Sequence, residues 1–308
     1  MYAAAGGALV ALEPATGATR WSAPLLTAKD YLTAPTIARD GTIYVLGGNN
    51  STMLFAVNAD GTRRFAVDTG VVSDNAPLTI GDDGTIYVGH GAQLDAYRPD
   101  GTRTWSYVDK AGEPFASPAV GVDGTVYATC DDFTLRAFTS TGTVKWTVKA
   151  TFQIFAAPSV ASDGTIYFGS YDQNLYAVGP DGARRWTFTA AGNIGFGSAA
   201  APALGTDGTI YVTSDDTLAG GFLYAVAPSG AQKWRFQPKG RFLSPGVVDT
   251  EGSFYAIDTN GTLYAIDAKG AVKFTLSLGA SSGGAPSLAA DGTLYATTGD
   301  GTLHAIGP

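Results

Sequence analysis

Acid–base or nucleophilic chemistry in this chain would have to rest on few side chains. His90 and His304 are the only imidazoles and Cys130 the only thiol; the remaining candidates are 27 carboxylates. The histidines lie in distant segments with no nucleophile signature beside them, so a nucleophile–base pair has no sequence support. A single cysteine excludes an intrachain disulfide and any multi-cysteine zinc or iron–sulfur site. The run Gly192-Asn193-Ile194-Gly195-Phe196-Gly197 does not open a strand-to-helix crossover, which argues against a phosphate cradle. Acidic residues do recur, at Asp131, Asp132, Asp172, Asp215, Asp216, Asp258 and Asp300. They read either as cation ligands on one rim or as turn caps that accept from nearby backbone N–H groups. Asn49 and Asn260 occupy the equivalent turns, which favours capping. Asp258-Thr259-Asn260-Gly261 lacks the third ligand and the later Glu of a calcium loop. No metal site is expected.

The elements that would position these groups come from one repeat. Asp-Gly-Thr-Ile-Tyr begins at Asp40 and recurs with small changes at Asp83, Asp123, Asp163, Asp207, Glu251 and Asp291, at spacings of 43, 40, 40, 44, 44 and 40 residues. A second signature is a turn glycine followed four residues later by an aromatic: Trp21, Phe65, Trp105, Trp146, Trp186, Trp234 and Phe274. Residues 117 to 148 show the unit. Ser117 to Gly121 is a short first strand, Asp123-Gly124 a hairpin turn, Thr125 to Thr129 the second strand, Thr134 to Phe138 the third and Val144 to Val148 the fourth. Four antiparallel strands repeated every ~42 residues predict an all-β fold, a β-propeller whose blades pack face to face. The expected organisation is a single domain over residues 1–308. Tyr2 stands where a second strand begins, and the last copy supplies three strands. Eight blades, with an incomplete blade at each terminus, is the favoured count; seven, with the strand around Trp21 completing the last blade, is the alternative.

The segment Ala11-Leu12-Glu13-Pro14-Ala15-Thr16-Gly17-Ala18-Thr19-Arg20-Trp21 resembles the tryptophan-docking motif of the PQQ-like, quinoprotein-type propeller repeats. The other copies are one residue shorter before the glycine, and two carry Phe instead of Trp. The resemblance covers the whole chain and is nearest to the non-enzymatic members, such as the barrel-assembly lipoprotein. It implies an eight-bladed propeller with the docking rings packed between blades, and a periplasmic or secreted location. Dehydrogenases of this resemblance use a vicinal disulfide, a calcium held by Glu, Asn and Asp, and a catalytic Asp. This chain has no vicinal cysteine pair, so no cofactor is expected, and pyrroloquinoline quinone with calcium stands only as the alternative.

Composition narrows the partners. The chain has 308 residues, 15% charged, 45% hydrophobic and 41 glycines, and its net charge is −8. That apolar content excludes disorder. An acidic balance without a basic run disfavours nucleic acid, no stretch is long and apolar enough for a membrane-spanning helix, and Met1-Tyr2-Ala3 carries no signal peptide. Strand alternation brings the loops that enter each first strand, and those joining second to third strands, to one face at the channel mouth. Tyr31, Asp74, Glu113, Phe115, Gln153, Phe155, Asn193, Phe196, Arg241 and Phe242 fall there. Phe115, Phe155 and Phe242 each stand three residues before the first-strand proline; the polar residues among them do not repeat and are where function diversifies. The expectation is a non-catalytic binding scaffold that presents this face to a protein, peptide or small ligand. A minimal quinone-dependent oxidoreductase or a carbohydrate-acting enzyme is the alternative. Oligomeric state is not legible.

Overall fold

The computed structural model describes residues 1–49, 51–70, 77–194, 201–215, 220–242, 244–281 and 284–307. Among these, every regular element is a strand, and consecutive strands pair into eight antiparallel sheets. The fold is an eight-bladed β-propeller. The first sheet (Tyr2–Ala5, Ala8–Leu12, Thr19–Pro24) and the last (Ser287–Leu288, Leu294–Thr297, Leu303–Ile306) have three strands each, and the other six have at least four. Ala11 pairs with Trp21 inside the first sheet. The strand around Trp21 therefore does not complete the last blade, which excludes the seven-bladed alternative.

The chain packs as two compact units, Met1–Asp132 with Arg136–Lys145, and Phe133–Leu135 with Trp146–Pro308. Within each, the same devices recur. The fourth sheet shows them: Ala119–Val120, Val126–Cys130, Thr134–Phe138 and Val144–Lys149. Its middle strands are buried along their whole length, and they are mainly apolar apart from Thr129, Thr134 and Arg136. The fourth strand alternates, one side half-buried and the other in solvent. At the first hairpin Gly124 takes φ 76°, and Asp123 accepts from the Thr125 amide at 3.0 Å. That is the left-handed conformation the Asp-Gly pair was expected to supply.

Sheets are locked to their successors by the docking rings. The indole Nε1 of Trp21, Trp105, Trp146, Trp186 and Trp234 donates to the backbone carbonyl of Ala59, Ser140, Pro180, Pro228 and Ala268 respectively, at 2.8–3.0 Å. The turn glycine of the next fourth strand lies flat against each ring. A Cβ on Gly61, Gly101, Gly142, Gly182, Gly230 or Gly270 would fall 2.6–3.0 Å from the ring of Trp21, Phe65, Trp105, Trp146, Trp186 or Trp234. Apolar clusters mix residues of successive sheets accordingly, as where Leu175, Ala177 and Trp186 pack with Ile210, Val212 and Val226. Phe274 is 41% exposed, and the sheet that follows has three strands among the described residues.

Candidate functional site

The loops entering the first strands are fixed by their own backbones. In each case an amide just after the second strand donates to a carbonyl of the entering loop: Gly48 to Tyr31, Asp131 to Pro114, Tyr171 to Gln153, Thr259 to Arg241 and Gly299 to Ser281, at 2.9–3.2 Å. In the sixth sheet the loop forms a short strand instead, with Asn193 opposite Asp215 and Ile194 opposite Ser214. Tyr31, Gln153, Asn193 and Arg241 are therefore structurally equivalent positions, each in its own loop. In five of these loops the next residue is an apolar anchor. Leu32 and Phe115 bridge to Gly47 and Cys130, and Ile154, Ile194 and Phe242 follow in the same register.

This register changes the aromatic pattern expected from the proline count. Phe115 and Phe242 are anchors, 3% and 2% exposed, packed edge-on against Phe138 and Tyr107 in one unit and Tyr264 and Phe254 in the other. Their rings contribute to the core. Phe155 is not their equivalent, since its loop is one residue longer and Ile154 fills the anchor position. Phe155 is only partly buried and meets Tyr171 edge-on, with centroids 4.7 Å apart. Glu113 is exposed, and its amide donates to Asp109 at 3.3 Å. Arg241 is tied to the buried Asp215 carboxylate at 3.1 Å. Asp74 and Phe196 lie outside the described residues.

A second row of side chains pins these loops. The third residue of the third strand is aromatic in four sheets, at Phe55, Tyr176, Tyr224 and Tyr264. The Tyr224 hydroxyl accepts from the Ala191 amide at 2.9 Å, and that of Tyr264 from the Lys239 amide at 3.1 Å. Asp172 links Tyr176 to both the amide and the hydroxyl of Thr151. Two sheets replace the aromatic with a charge. Arg136 donates to Asp109 at 2.8 Å and to Asp132, with its guanidinium over the Phe115 ring at 5.5 Å. One atom each of Asp109, Cys130 and Asp132 lies within 4.8 Å of the others. The cation between the carboxylates is the guanidinium, however, and burial pushes the Cys130 thiol up to about 12, which disfavours the thiolate a metal needs.

Asp95 is the other replacement, fully buried with His90. Burial alone would raise its carboxyl, but hydrogen bonds from His90, Ser106, Gln93 and Tyr97 outweigh burial and hold it at about 2. His90 Nε2 lies 3.2 Å from Asp95 Oδ2 and His90 Nδ1 has no partner among the described residues, so the ring is assigned as donating through Nε2. Neither side chain has exposed surface, so the pair is packed inside the sheet. Several recurring carboxylates are turn caps: Asp172 accepts from the Asn174 amide, Asp258 from those of Asn260 and Thr262, and Asp300 from that of Thr302.

The sequence pattern of the family described as outer membrane protein assembly factor BamB matches residues 1–114, 90–222 and 219–307. The chain belongs to the BamB family. The crystal structure of BamB from Moraxella catarrhalis is similar to it, with a TM-score of 0.77 at 20% identity over all of this chain and 90% of that one. The computationally designed Ika8 protein reaches 0.80 at 10% identity, covering all of this chain and 93% of its own. At those identities the likeness carries the fold alone. No curated protein matches the sequence.

On this BamB-type frame, two residues on the candidate loops were not anticipated. Phe133 takes φ 73° at a turn position that is glycine in Gly261 and Gly301, both with positive φ. A bulky residue is uncommon there and strained. Its ring stacks on Phe152, centroids 5.8 Å apart and planes at 12°, and Phe152 is 48% exposed. Lys149 Nζ lies 6.0 Å over the Phe133 ring. The signal was available in the sequence, as a phenylalanine standing where other copies carry the turn glycine.

Proposed function

We propose that this chain is a non-catalytic scaffold of the cell envelope that docks a protein partner through the loops entering its first strands. The observation that carries the reading is the strained, half-exposed Phe133–Phe152 stack, set on loops whose backbones are already fixed by hydrogen bonds. Aromatic rings held in place supply contact area with little ordering cost on binding. The second pair, Phe155 with Tyr171, and the non-repeating Gln153, Asn193 and Arg241 provide the variable polar complement. Membership of a family described as an outer membrane protein assembly factor supports a protein as the partner and the periplasmic side of that membrane as the place. Among the described residues no helix is long and apolar enough to cross a membrane.

The test is site-specific photo-crosslinking in the bacterial envelope, with the probe at Phe152 and, as control, at Val122, which is 87% exposed beside the Asp123-Gly124 turn. The expected result is an adduct to an outer membrane assembly component from position 152 and none from position 122. Adducts from 122 alone, or equal adducts from both, overturn the proposal.

A further inference from the structure

The third sheet departs from the repeat on the side that faces the second. At the third position of Gln93–Tyr97, where four other sheets carry an aromatic, stands Asp95. Strand alternation and register put Gln93, Tyr97, Arg103 and Ser106 on the same side, and Tyr97 packs there against Tyr44 and Leu54 of the second sheet. Asp95 takes its bonds from its own sheet. Gln93 Nε2 donates to both carboxylate oxygens at 2.9 and 3.0 Å, the Tyr97 hydroxyl donates at 2.8 Å, Arg103 lies at 3.4 Å, and His90 and Ser106 bond to it as well. Those donors saturate the carboxylate, which in turn holds Gln93 and Arg103 in place.

The fifth sheet shows the ordinary arrangement. Arg184, opposite Val178 as Arg103 is opposite Tyr97, lies 4.6 Å over the Tyr176 ring and donates to the carbonyl of Lys149 in the sheet before it, at 2.9 Å. That guanidinium bridges two sheets. Arg103 is drawn instead to Asp95 in its own sheet, and a cavity of about 580 Å³ lies between the end of Arg63–Asp68 and the third sheet, with Val67, Asp68, Gln93, Arg103 and Ser106 in its lining. Its size is that of a small-molecule site, about 300–1,000 Å³.

Polar capacity is left over on both walls. A guanidinium carries five N–H donors, and half of the Arg103 side chain is exposed. With its nitrogen on Asp95, Gln93 offers Oε1 as an acceptor. Asp68 accepts from the Ser51 hydroxyl and, at 2.8 Å, from the Gly70 amide, both through Oδ1, which leaves Oδ2. A cation is thus presented by the third sheet and an anion by the second. A simple anionic ligand would meet Asp68 and a simple cationic one Arg103, each leaving a like charge unanswered. A neutral sugar would answer neither charge, and Tyr97, the one ring in the lining, is 1% exposed and gives it no face to stack on. A zwitterion answers both.

We infer that the groove between the second and third sheets binds a zwitterionic amino acid or dipeptide, its carboxylate on Arg103 and its ammonium on Asp68 and Gln93 Oε1. The cavity shares no residue with the Phe133–Phe152 stack, so the inference stands or falls without the loop reading.

The test is calorimetric titration of the full chain with alanine, glutamine, dialanine and alanyl-glutamine at millimolar concentrations. Saturable binding of at least one is expected, and the tighter of the two lengths separates a free amino acid from a dipeptide. Acetylating the amino group of that ligand, or amidating its carboxylate, should each weaken binding about tenfold or more, as loss of a charged hydrogen bond does. Asp68→Asn should match the loss from acetylation and add nothing to it, and Arg103→Gln should stand in the same relation to amidation. Both side chains are exposed, so neither variant disturbs the core. Arg184→Gln, in the bridged copy, should leave binding unchanged. Absence of saturable binding by all four ligands overturns the inference. So does binding that tolerates both acetylation and amidation, or an equal loss from Arg184→Gln. Saturable binding of maltose in place of the amino acids would assign the groove to a sugar and equally overturn it.

Discussion

Gly142→Ala should be far more damaging than the same change at another turn glycine. Both Gly142 and Gly124 have positive φ, 83° and 76°, so a methyl group at either forces a left-handed conformation on an L-residue, at about 1–2 kcal/mol. At Gly124 nothing lies within 4 Å of the added carbon, whereas at Gly142 that carbon would sit 2.6 Å from Trp105 Cδ2. Carbon atoms pack best about 3.5–4.0 Å apart, so the indole must retreat by about 1 Å. Overpacking of that kind costs about 1–3 kcal/mol. A shifted ring also loses the Nε1 bond to Ser140, 2.9 Å long, at about 1 kcal/mol. The expected loss is about 3–6 kcal/mol for Gly142→Ala against about 1–2 kcal/mol for Gly124→Ala, read from urea denaturation followed by fluorescence. In a Trp105→Ala background the Gly142→Ala loss should shrink to the Gly124 value. Equal losses at the two glycines, or a Gly142 loss that survives removal of the indole, would refute the docking argument.

Two further outcomes follow from groups that depart from the repeat. Asp95 titrates at about 2 rather than 3.8, a difference worth about 2.4 kcal/mol. Because the folded value is the lower one, this stability is present above about pH 4 and lost as pH falls toward 2. The stability gap between wild type and Asp95→Asn should therefore narrow by about 2 kcal/mol between pH 5 and pH 2, and a pH-independent gap would contradict it. Gln173 is exposed at φ 71°. Gln173→Gly relieves left-handed strain but adds unfolded-state entropy, for a net gain of about 0.5–1 kcal/mol in a denaturation midpoint.

What could be read from sequence was whatever the repeat states locally. Asp123-Gly124 and the glycine four residues before each docking ring are short-range signatures, carried by neighbouring residues in the chain. The loops were legible only as a region. Counting back from the first-strand proline assumes a constant loop length, yet three steps separate Phe115 from Pro118 and four separate Ile154 from Pro158, so Phe155 was aligned with residues it does not match. Burial of Phe115 and Phe242 depends on bonds between a loop and a strand end about 15 residues further along the chain, which no local pattern carries. The charges at Asp95 and Arg136 do stand out against the aromatic column. Their partners do not, because Arg136 meets Asp109 across 27 residues and Arg241 meets Asp215 across 26.

Each indole latch points forward along the chain, to a carbonyl 34 to 42 residues later and always in the next sheet. None of these contacts waits for a distant part of the sequence. A chain emerging from its amino terminus can close one sheet, present one ring and have it capped as soon as the following sheet forms, with loop-closure entropy nearly the same at every step. Folding of such a chain should proceed as a sequence of similar local events rather than through one global nucleus. A chain halted at any sheet boundary should hold a single uncapped ring at its growing end, with the sheets behind it already sealed.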